Sequence, residues 1–96
     1  MTHTVTRLLP EAFERLAAIK AKYPDMKHTA LVGELLKEPV NLSPFDNVKG
    51  VAEGSKAIRI TVEQLYELRT QTKGTGCSMI QVLSDKVCKL ADKLGV

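Results

Sequence analysis

Apolar residues recur every three or four positions near the C-terminal end of the chain. This spacing continues for four turns and predicts a helix with one buried face, formed by Ile80, Leu83, Val87, Leu90, Ala91 and Leu94. Ser78 follows the glycine-containing segment KGTGCS and stands where an N-cap is expected. A shorter helix is predicted over about 29–37, with an apolar face formed by Leu31, Val32, Leu35 and Leu36.

The segment PEAFERLAAIKAKY predicts another helix. Pro10 suits the first turn, where its missing N–H is not needed. Tyr23 precedes Pro24 and is biased out of the helical region, so the helix is expected to end there. Its predicted buried face contains Leu9, Phe13, Leu16 and Ala17.

A strand and a helix follow each other directly in KAIRITVEQLYELRT. Over 57–60 the residues alternate, with Ile58 and Ile60 on one face and Arg59 on the other. Thr61 with Gln64 three residues later forms a capping-box pattern, which explains the abrupt helix start. The predicted buried face of this helix contains Val62, Leu65 and Leu68. An unpaired strand leaves backbone groups unsatisfied, so a partner strand is required.

The elements repeat in the order strand–helix–helix. The second set follows a linker, 40–55, which is rich in Pro, Gly, Ser and Asn. At an offset of 52 residues, RLLPEAFERL lies over RITVEQLYEL, which places Arg7 on Arg59 and Leu16 on Leu68. The β-branched segment HTVTRLL is therefore the expected partner strand. A 16-residue linker reaches about 50 Å when extended, enough to cross a small domain.

Composition supports a small, mostly helical domain. The 96 residues are 44% apolar but include only two Tyr, two Phe and no Trp, so Leu, Ile, Val and Ala must build the core. The net charge is +3, and residues 56–96 alone carry +3. This charge suits a nucleic-acid partner, although many soluble proteins are equally basic.

Several classes of function are disfavoured by the sequence. Cys77 and Cys88 show neither metal-ligand spacing nor a disulfide framework, and His3 and His28 have no ligand near them in sequence. We expect no metal, no cofactor and no enzymatic activity, because paired carboxylates and an activated cysteine are not evident. KGTGCS lacks the residue order of a phosphate-binding loop. Without a secretory signal or an apolar span, a cytoplasmic protein is expected.

Residues 56–94 resemble the ribbon-helix-helix family, which includes the Arc and methionine repressors. The shared features are alternating strand residues, a Thr/Ser helix start, a TG-x-S turn and an aliphatic second helix. Residues 3–38 resemble a second copy in which YPDMKH replaces the glycine turn. Tandem copies are similar to conjugation accessory proteins of the TraY type.

This resemblance implies a mostly α fold with a short two-stranded antiparallel β-ribbon. Units 1–39 and 56–96, joined by the linker 40–55, would form one pseudo-symmetric domain. Alternatively, only 56–96 forms the motif and two chains must pair to complete one ribbon.

Family members insert their ribbon into the DNA major groove. A groove about 12 Å wide admits such a ribbon, and outward side chains reach the base edges. With Ile58 and Ile60 facing the core, Ala57, Arg59 and, near the boundary, Ser55 remain for base contacts. Arg59 is the foremost of these, because a guanidinium can bond both acceptors of guanine.

The first strand has two possible phases. At the offset of 52, Val5 and Arg7 face the DNA and Thr6 faces the core. Shifted by one residue, Thr4 and Thr6 face the DNA and Arg7 points away. A buried Arg7 without a partner would be costly, which favours the first phase.

The family also binds backbone phosphates at the start of the second helix of each unit, where free N–H groups and the helix dipole favour an anion. The corresponding positions are Gly76, Cys77 and Ser78 in the second unit and Lys27, His28 and Thr29 in the first.

The expected partner is therefore double-stranded DNA, with neighbouring molecules associating on adjacent half-sites. Such a protein would act as a transcriptional repressor or as a DNA-processing accessory of a plasmid or mobile element. Two other classes compete with it. One is an antitoxin or protein-interaction module that binds a protein partner, and the other is a structural helical homodimer that binds no DNA.

Overall fold

Two short strands from distant parts of the chain pair as an antiparallel ribbon. The computed structural model describes residues 2–40, 42 and 54–96. Strand β1 spans His3–Leu8 and strand β2 spans Lys56–Thr61. They form a two-stranded sheet in which Val5 lies opposite Arg59 and Arg7 opposite Ala57. The prediction that the first strand is the partner of the second is confirmed.

Four helices complete the described fold. They are α1, Pro10–Lys22; α2, His28–Lys37; α3, Val62–Thr72; and α4, Met79–Leu94. The order along the chain is β1, α1, α2, β2, α3, α4, as the sequence predicted. The mostly helical class with a two-stranded antiparallel sheet is thus confirmed.

Local sequence signals place the helix ends. Pro10 occupies the first turn of α1. The Thr61 hydroxyl accepts from the Gln64 backbone N–H, and the Gln64 side chain accepts from the Thr61 backbone N–H, both at 3.0 Å. This is the predicted capping box. Ser78 caps α4, and Gly95 ends it with a φ of 75°, a conformation that glycine adopts without a steric penalty.

The core draws on both halves of the chain, with α4 at its centre. Helix α4 packs against α1, α2, α3 and β1, and α2 also packs against α3. The predicted face of α2 is buried, and four of the six predicted residues of α4 are buried with Ile80 and Leu94 partly so. The larger fully buried apolar side chains are Leu8, Leu16, Ile19, Leu31, Val32, Leu35, Leu68, Val82, Leu83 and Val87.

The prediction that Ala17 belongs to the buried face of α1 was wrong. Ala17 is exposed, whereas Ala12, Leu16 and Ile19 are the buried residues of this helix. Ala17 lies about 100° around the helix from Leu16, so only one of the two can face α4. Leu9 precedes the helix as its N-cap residue.

The predicted face of α3 is narrower than expected. Leu68 is fully buried and Leu65 is partly buried, but Val62 is 44% exposed. Val62 stands at the end of the ribbon, where its backbone N–H donates to the carbonyl of Thr2 at 3.1 Å. Its position is therefore set by strand pairing, and its side chain faces solvent.

Three lysines of α4 hold the end of α2 in place. Lys86 is fully buried and donates to the backbone carbonyl of Glu38. Lys89 donates to the Pro39 carbonyl at 3.4 Å, and the Lys93 ammonium lies 2.9 Å from the Glu38 carboxylate. Burial lowers the pKa of Lys86, and the neighbouring charge of Lys89 lowers it further.

Most of the predicted linker lies outside the described residues. Of 40–55, the structure describes Val40, Leu42, Gly54 and Ser55. Val40 and Leu42 are partly buried against the core. The chain therefore leaves the end of α2 along the protein surface.

Candidate nucleic-acid interface

The ribbon has an inner face against the helices and an outer face open to solvent. Thr6, Ile58 and Ile60 are buried, with Thr6 only 7% exposed. The centre of the outer face consists of four exposed side chains, those of Val5, Arg7, Ala57 and Arg59, with Val5 60% exposed, and His3 is exposed at the beginning of β1. Alternation of side chains along each strand produces this separation.

The burial pattern decides between the two phases of β1. Val5 and Arg7 face outward, and Thr6 points into the core. The alternative phase, with Thr4 and Thr6 outward, does not occur, since Thr6 is buried and Thr4 is half-buried. Thr6 lies opposite Ile58, so a polar side chain is packed under the ribbon between β1 and the helices.

Ser55 does not lie on the outer face as the sequence led us to expect. It is buried just before β2. Its hydroxyl accepts from Nε of Arg7 at 2.6 Å, and its carbonyl accepts from Nη2 of Arg7 at 2.7 Å. The reason is geometric, because antiparallel pairing brings the end of β1 beside the start of β2. Arg7 is therefore exposed but held at one end of the ribbon.

The guanidinium of Arg59 has different surroundings from that of Arg7. Within the described parts of the chain, its side chain makes no hydrogen bond or ion pair, and it is exposed. The backbone carbonyl of Arg59, in contrast, lies 2.5 Å from Nε2 of His28 at the start of α2. Arg59 thus combines an anchored backbone with an unengaged cationic side chain.

The outer face is electropositive. Neither strand contains an acidic residue, and β2 adds the exposed Lys56 to the two arginines. Glu11 and Glu63 are the first acidic residues after the strands and stand in the first turns of α1 and α3. There they complement the positive ends of the helix dipoles. An anionic surface is the complement of this ribbon.

The start of α4 contains the first set of predicted phosphate contacts. Gly76 is exposed with a φ of 75°, and Cys77 and Ser78 are half-buried. The Cys77 backbone N–H donates to the Thr75 hydroxyl at 3.1 Å, and the Ser78 hydroxyl accepts from the Gln81 N–H at 3.3 Å. Part of the hydrogen-bonding capacity of this terminus is therefore satisfied within the turn itself.

The start of α2 contains the second set. Lys27 is exposed and precedes the helix without a side-chain cap. The carbonyl of Thr29 accepts from Nε2 of Gln64 at 3.0 Å, which ties α2 to the first turn of α3. With the His28 contact to β2, this end of α2 is fixed beside the ribbon.

Two contacts of this region were not predicted from the sequence. Arg7 with Ser55 spans 48 residues, and His28 with Arg59 spans 31 residues. Neither pair carries a local spacing signal. The repeat at an offset of 52 aligned the two arginines with each other, but it contained no information on their partners.

The described residues contain no group of three or more His, Cys, Asp or Glu side chains that could hold a metal ion. Cys77 and Cys88 are half-buried, and no disulfide joins them in the described structure. Burial raises the pKa of Cys88, and the nearby guanidinium of Arg15 opposes this shift. Among the described helices, none has the length and apolarity needed to cross a membrane.

Comparison with protein-family models, curated proteins and solved structures finds no match to this chain.

Proposed function

We propose that the protein binds double-stranded DNA sequence-specifically by inserting the ribbon β1–β2 into the major groove. The observation that carries the proposal is the outer face itself. It presents two exposed arginines on a two-stranded ribbon without acidic residues, while the opposite face is buried on the helices. The major groove is about 12 Å wide and admits such a ribbon.

The proposed architecture is a pair of ribbon-helix-helix units within one chain, 1–39 and 56–96. The order of elements supports it, since each half contributes one strand and two helices. The offset of 52 residues also relates the first residues of α1 and α3, Pro10 and Val62. The second helices begin at an offset of 51, because α1 is two residues longer than α3 and the turn after it is shorter.

In this architecture the two arginines occupy equivalent places in the ribbon. Arg7 lies opposite Ala57, and Arg59 lies opposite Val5. A rotation of half a turn about the centre of the ribbon exchanges the two pairs. One chain would therefore offer both halves of a near-symmetric reading surface.

Each of the four central side chains of the outer face has a role suited to its chemistry. Arg59 donates to O6 and N7 of a guanine, which is the commonest specific contact in the major groove. Val5 and Ala57 offer apolar contacts suited to thymine methyl groups. Arg7, held by Ser55 at the end of the ribbon, contacts a base or phosphate at the edge of the site.

Backbone phosphates are proposed to lie at the starts of α2 and α4. Lys27 is the exposed cation at the first, and Gly76 leaves the backbone accessible at the second. These contacts position the ribbon, and base contacts provide the sequence preference. Occupancy of the site, with neighbouring molecules on adjacent half-sites, would then block transcription or support DNA processing.

Selection from a random pool of duplexes tests this function. The selected duplex and a scrambled duplex of equal length are titrated with the protein at two salt concentrations. We expect the selected duplex to bind at least about 1,000-fold more tightly at physiological salt, as specific DNA-binding proteins do.

Equal and strongly salt-dependent binding of both duplexes would show that the basic ribbon attracts DNA phosphates without sequence preference. The DNA function would then be rejected in favour of a protein partner. Tyr66, which is 72% exposed on α3, is the residue at which to search for such a contact.

A further inference from the structure

The imidazole of His28 connects the start of α2 to the strand that carries Arg59. Its Nε2 lies 2.5 Å from the Arg59 carbonyl oxygen. A carbonyl has no proton to give, so Nε2–H is the donor. The other ring nitrogen, Nδ1, is buried and has no hydrogen-bond partner in the described structure. Neither nitrogen is therefore available to a phosphate in this arrangement.

The strand register shows why the Arg59 carbonyl needs a partner outside the ribbon. Val62 donates to Thr2, which lies opposite it when the register of His3 and Thr61 is extended by one residue. Hydrogen-bonded and non-hydrogen-bonded pairs alternate along an antiparallel ladder. The pair of Val5 and Arg59 is therefore non-hydrogen-bonded, and the Arg59 carbonyl points away from β1.

The peptide group between Arg59 and Ile60 is hydrogen-bonded on both of its edges. The Arg59 carbonyl and the Ile60 N–H belong to one planar peptide unit. Ile60 is in a hydrogen-bonded pair with Thr4, so its N–H points towards β1. His28 holds the opposite edge of that unit through the carbonyl. The peptide plane that follows Arg59 is thus fixed from both edges.

We infer that His28 is a positioning residue for Arg59 and acts on sequence discrimination without touching DNA. The inference rests on the proposed function. The Arg59 side chain has no described partner, so its direction is set by the backbone from which it leaves. A two-pronged contact to guanine requires placement within about 0.5 Å. His28 supplies that placement by tying β2 to α2, which Gln64 also holds through Thr29.

His28→Ala, His28→Gln and Lys27→Ala form the test set. Glutamine places an amide donor at about the reach of Nε2, so His28→Gln retains the bond to Arg59. Lys27 is the exposed neighbour at the same helix terminus and serves as the phosphate-contact comparison. Each variant is titrated with the selected and the scrambled duplex.

His28→Ala is expected to weaken binding to the selected duplex about threefold to tenfold, which corresponds to the loss of one hydrogen bond. Its binding to the scrambled duplex is expected to weaken less than about twofold. His28→Gln is expected to restore the binding. Lys27→Ala is expected to weaken binding to both duplexes by the same factor, because a phosphate contact is independent of sequence. Equal losses on both duplexes for His28→Ala would overturn the inference and make His28 a phosphate contact.

Amide hydrogen exchange in the DNA-free protein provides a second readout. Exchange at Ile60 is expected to accelerate about threefold to tenfold in His28→Ala and to stay unchanged in His28→Gln and Lys27→Ala. Unchanged exchange in His28→Ala would overturn the positioning role. If the unaltered protein shows no sequence preference, the DNA function and the role in discrimination both fail. The exchange at Ile60 still decides in that case whether His28 holds β2.

Discussion

Arg7 and Arg59 share the outer face, but their side chains are constrained differently. The guanidinium of Arg7 donates twice to Ser55, at 2.6 and 2.7 Å. That of Arg59 has no such partner in the described structure, so no internal bond has to be broken when it meets a base. At the scale of single residues, Arg59 is therefore the better candidate of the two for the base contact in the proposed function.

Replacement of Arg59 by alanine should cost about 1–3 kcal/mol of binding free energy on the selected duplex. The loss on the scrambled duplex should be much smaller, because a lost base contact matters only where the base is present. Titration of both duplexes measures the two losses. Arg69→Ala removes the same charge from an exposed position in the last turn of α3 and is the matched control. Equal losses on the two duplexes would identify Arg59 as a phosphate contact.

Burial of Lys86 predicts the sign of one contribution to the pH dependence of stability. The pKa of this lysine is lowered from 10.5 in the folded protein by burial. Between the lowered value and 10.5 the unfolded chain binds more protons than the folded one, so the free energy of unfolding rises with pH. Relative to Lys86→Met, the unaltered protein should therefore gain stability from neutral pH to about pH 10.

Urea denaturation across that pH range measures this difference. Lys37→Met, at a lysine whose side chain is 74% exposed, serves as the control and should retain the pH slope of the unaltered protein. A Lys86→Met protein with that same slope would show that Lys86 does not titrate differently on folding.

At the scale of elements, the strand-to-helix junction at Thr61 depends on a small number of local bonds. The capping box satisfies two backbone donors at the start of α3. Thr61 also closes the ribbon, since it lies opposite His3. One residue thus ends β2 and caps α3, which explains how the strand joins the helix without a loop.

Thr61→Ala should lower the free energy of unfolding by about 0.5–2 kcal/mol through loss of the cap. Thr70→Ala changes the same side chain at an exposed position of α3 and should alter stability by less than about 0.5 kcal/mol. Urea denaturation compares the two. Similar small losses would mean that the junction is held by strand pairing and not by the cap.

The predictions of helix faces succeeded for α2 and α4. The broad apolar faces of α2 and α4 are buried nearly as predicted, because any packing of such faces must cover most of their residues. The faces of α1 and α3 were predicted less well. Each is amphipathic over a narrower arc, and Ala17 and Val62 lie at the margins that the neighbouring elements leave open.

At the scale of the whole molecule, one chain supplies both strands and a shared core. The strands β1 and β2 pair within the chain, and α1 packs on α4 from the other half. The halves therefore cannot separate without exposing buried Leu and Val side chains. This arrangement makes the ribbon independent of a second subunit.

Light scattering on the DNA-free protein should accordingly give the mass of a single chain, 10.6 kDa. The midpoint of urea unfolding should not change with protein concentration, because both strands of the ribbon come from one chain. A dimer mass, with a midpoint that rises with concentration, would instead indicate that two chains exchange strands to build the ribbon.

The sequence by itself determined the six elements, their order, the strand partner and the capping box. These features depend on residue spacing over a few turns or on a repeat, and both are written along the chain. Only the tertiary structure decided that Ser55 is buried, that Ser55 holds Arg7 and that His28 holds Arg59. The physical reason is that these contacts join residues 31 or 48 positions apart. Their partners are fixed by the register of two strands and the angle of a helix beside them, which no local pattern encodes.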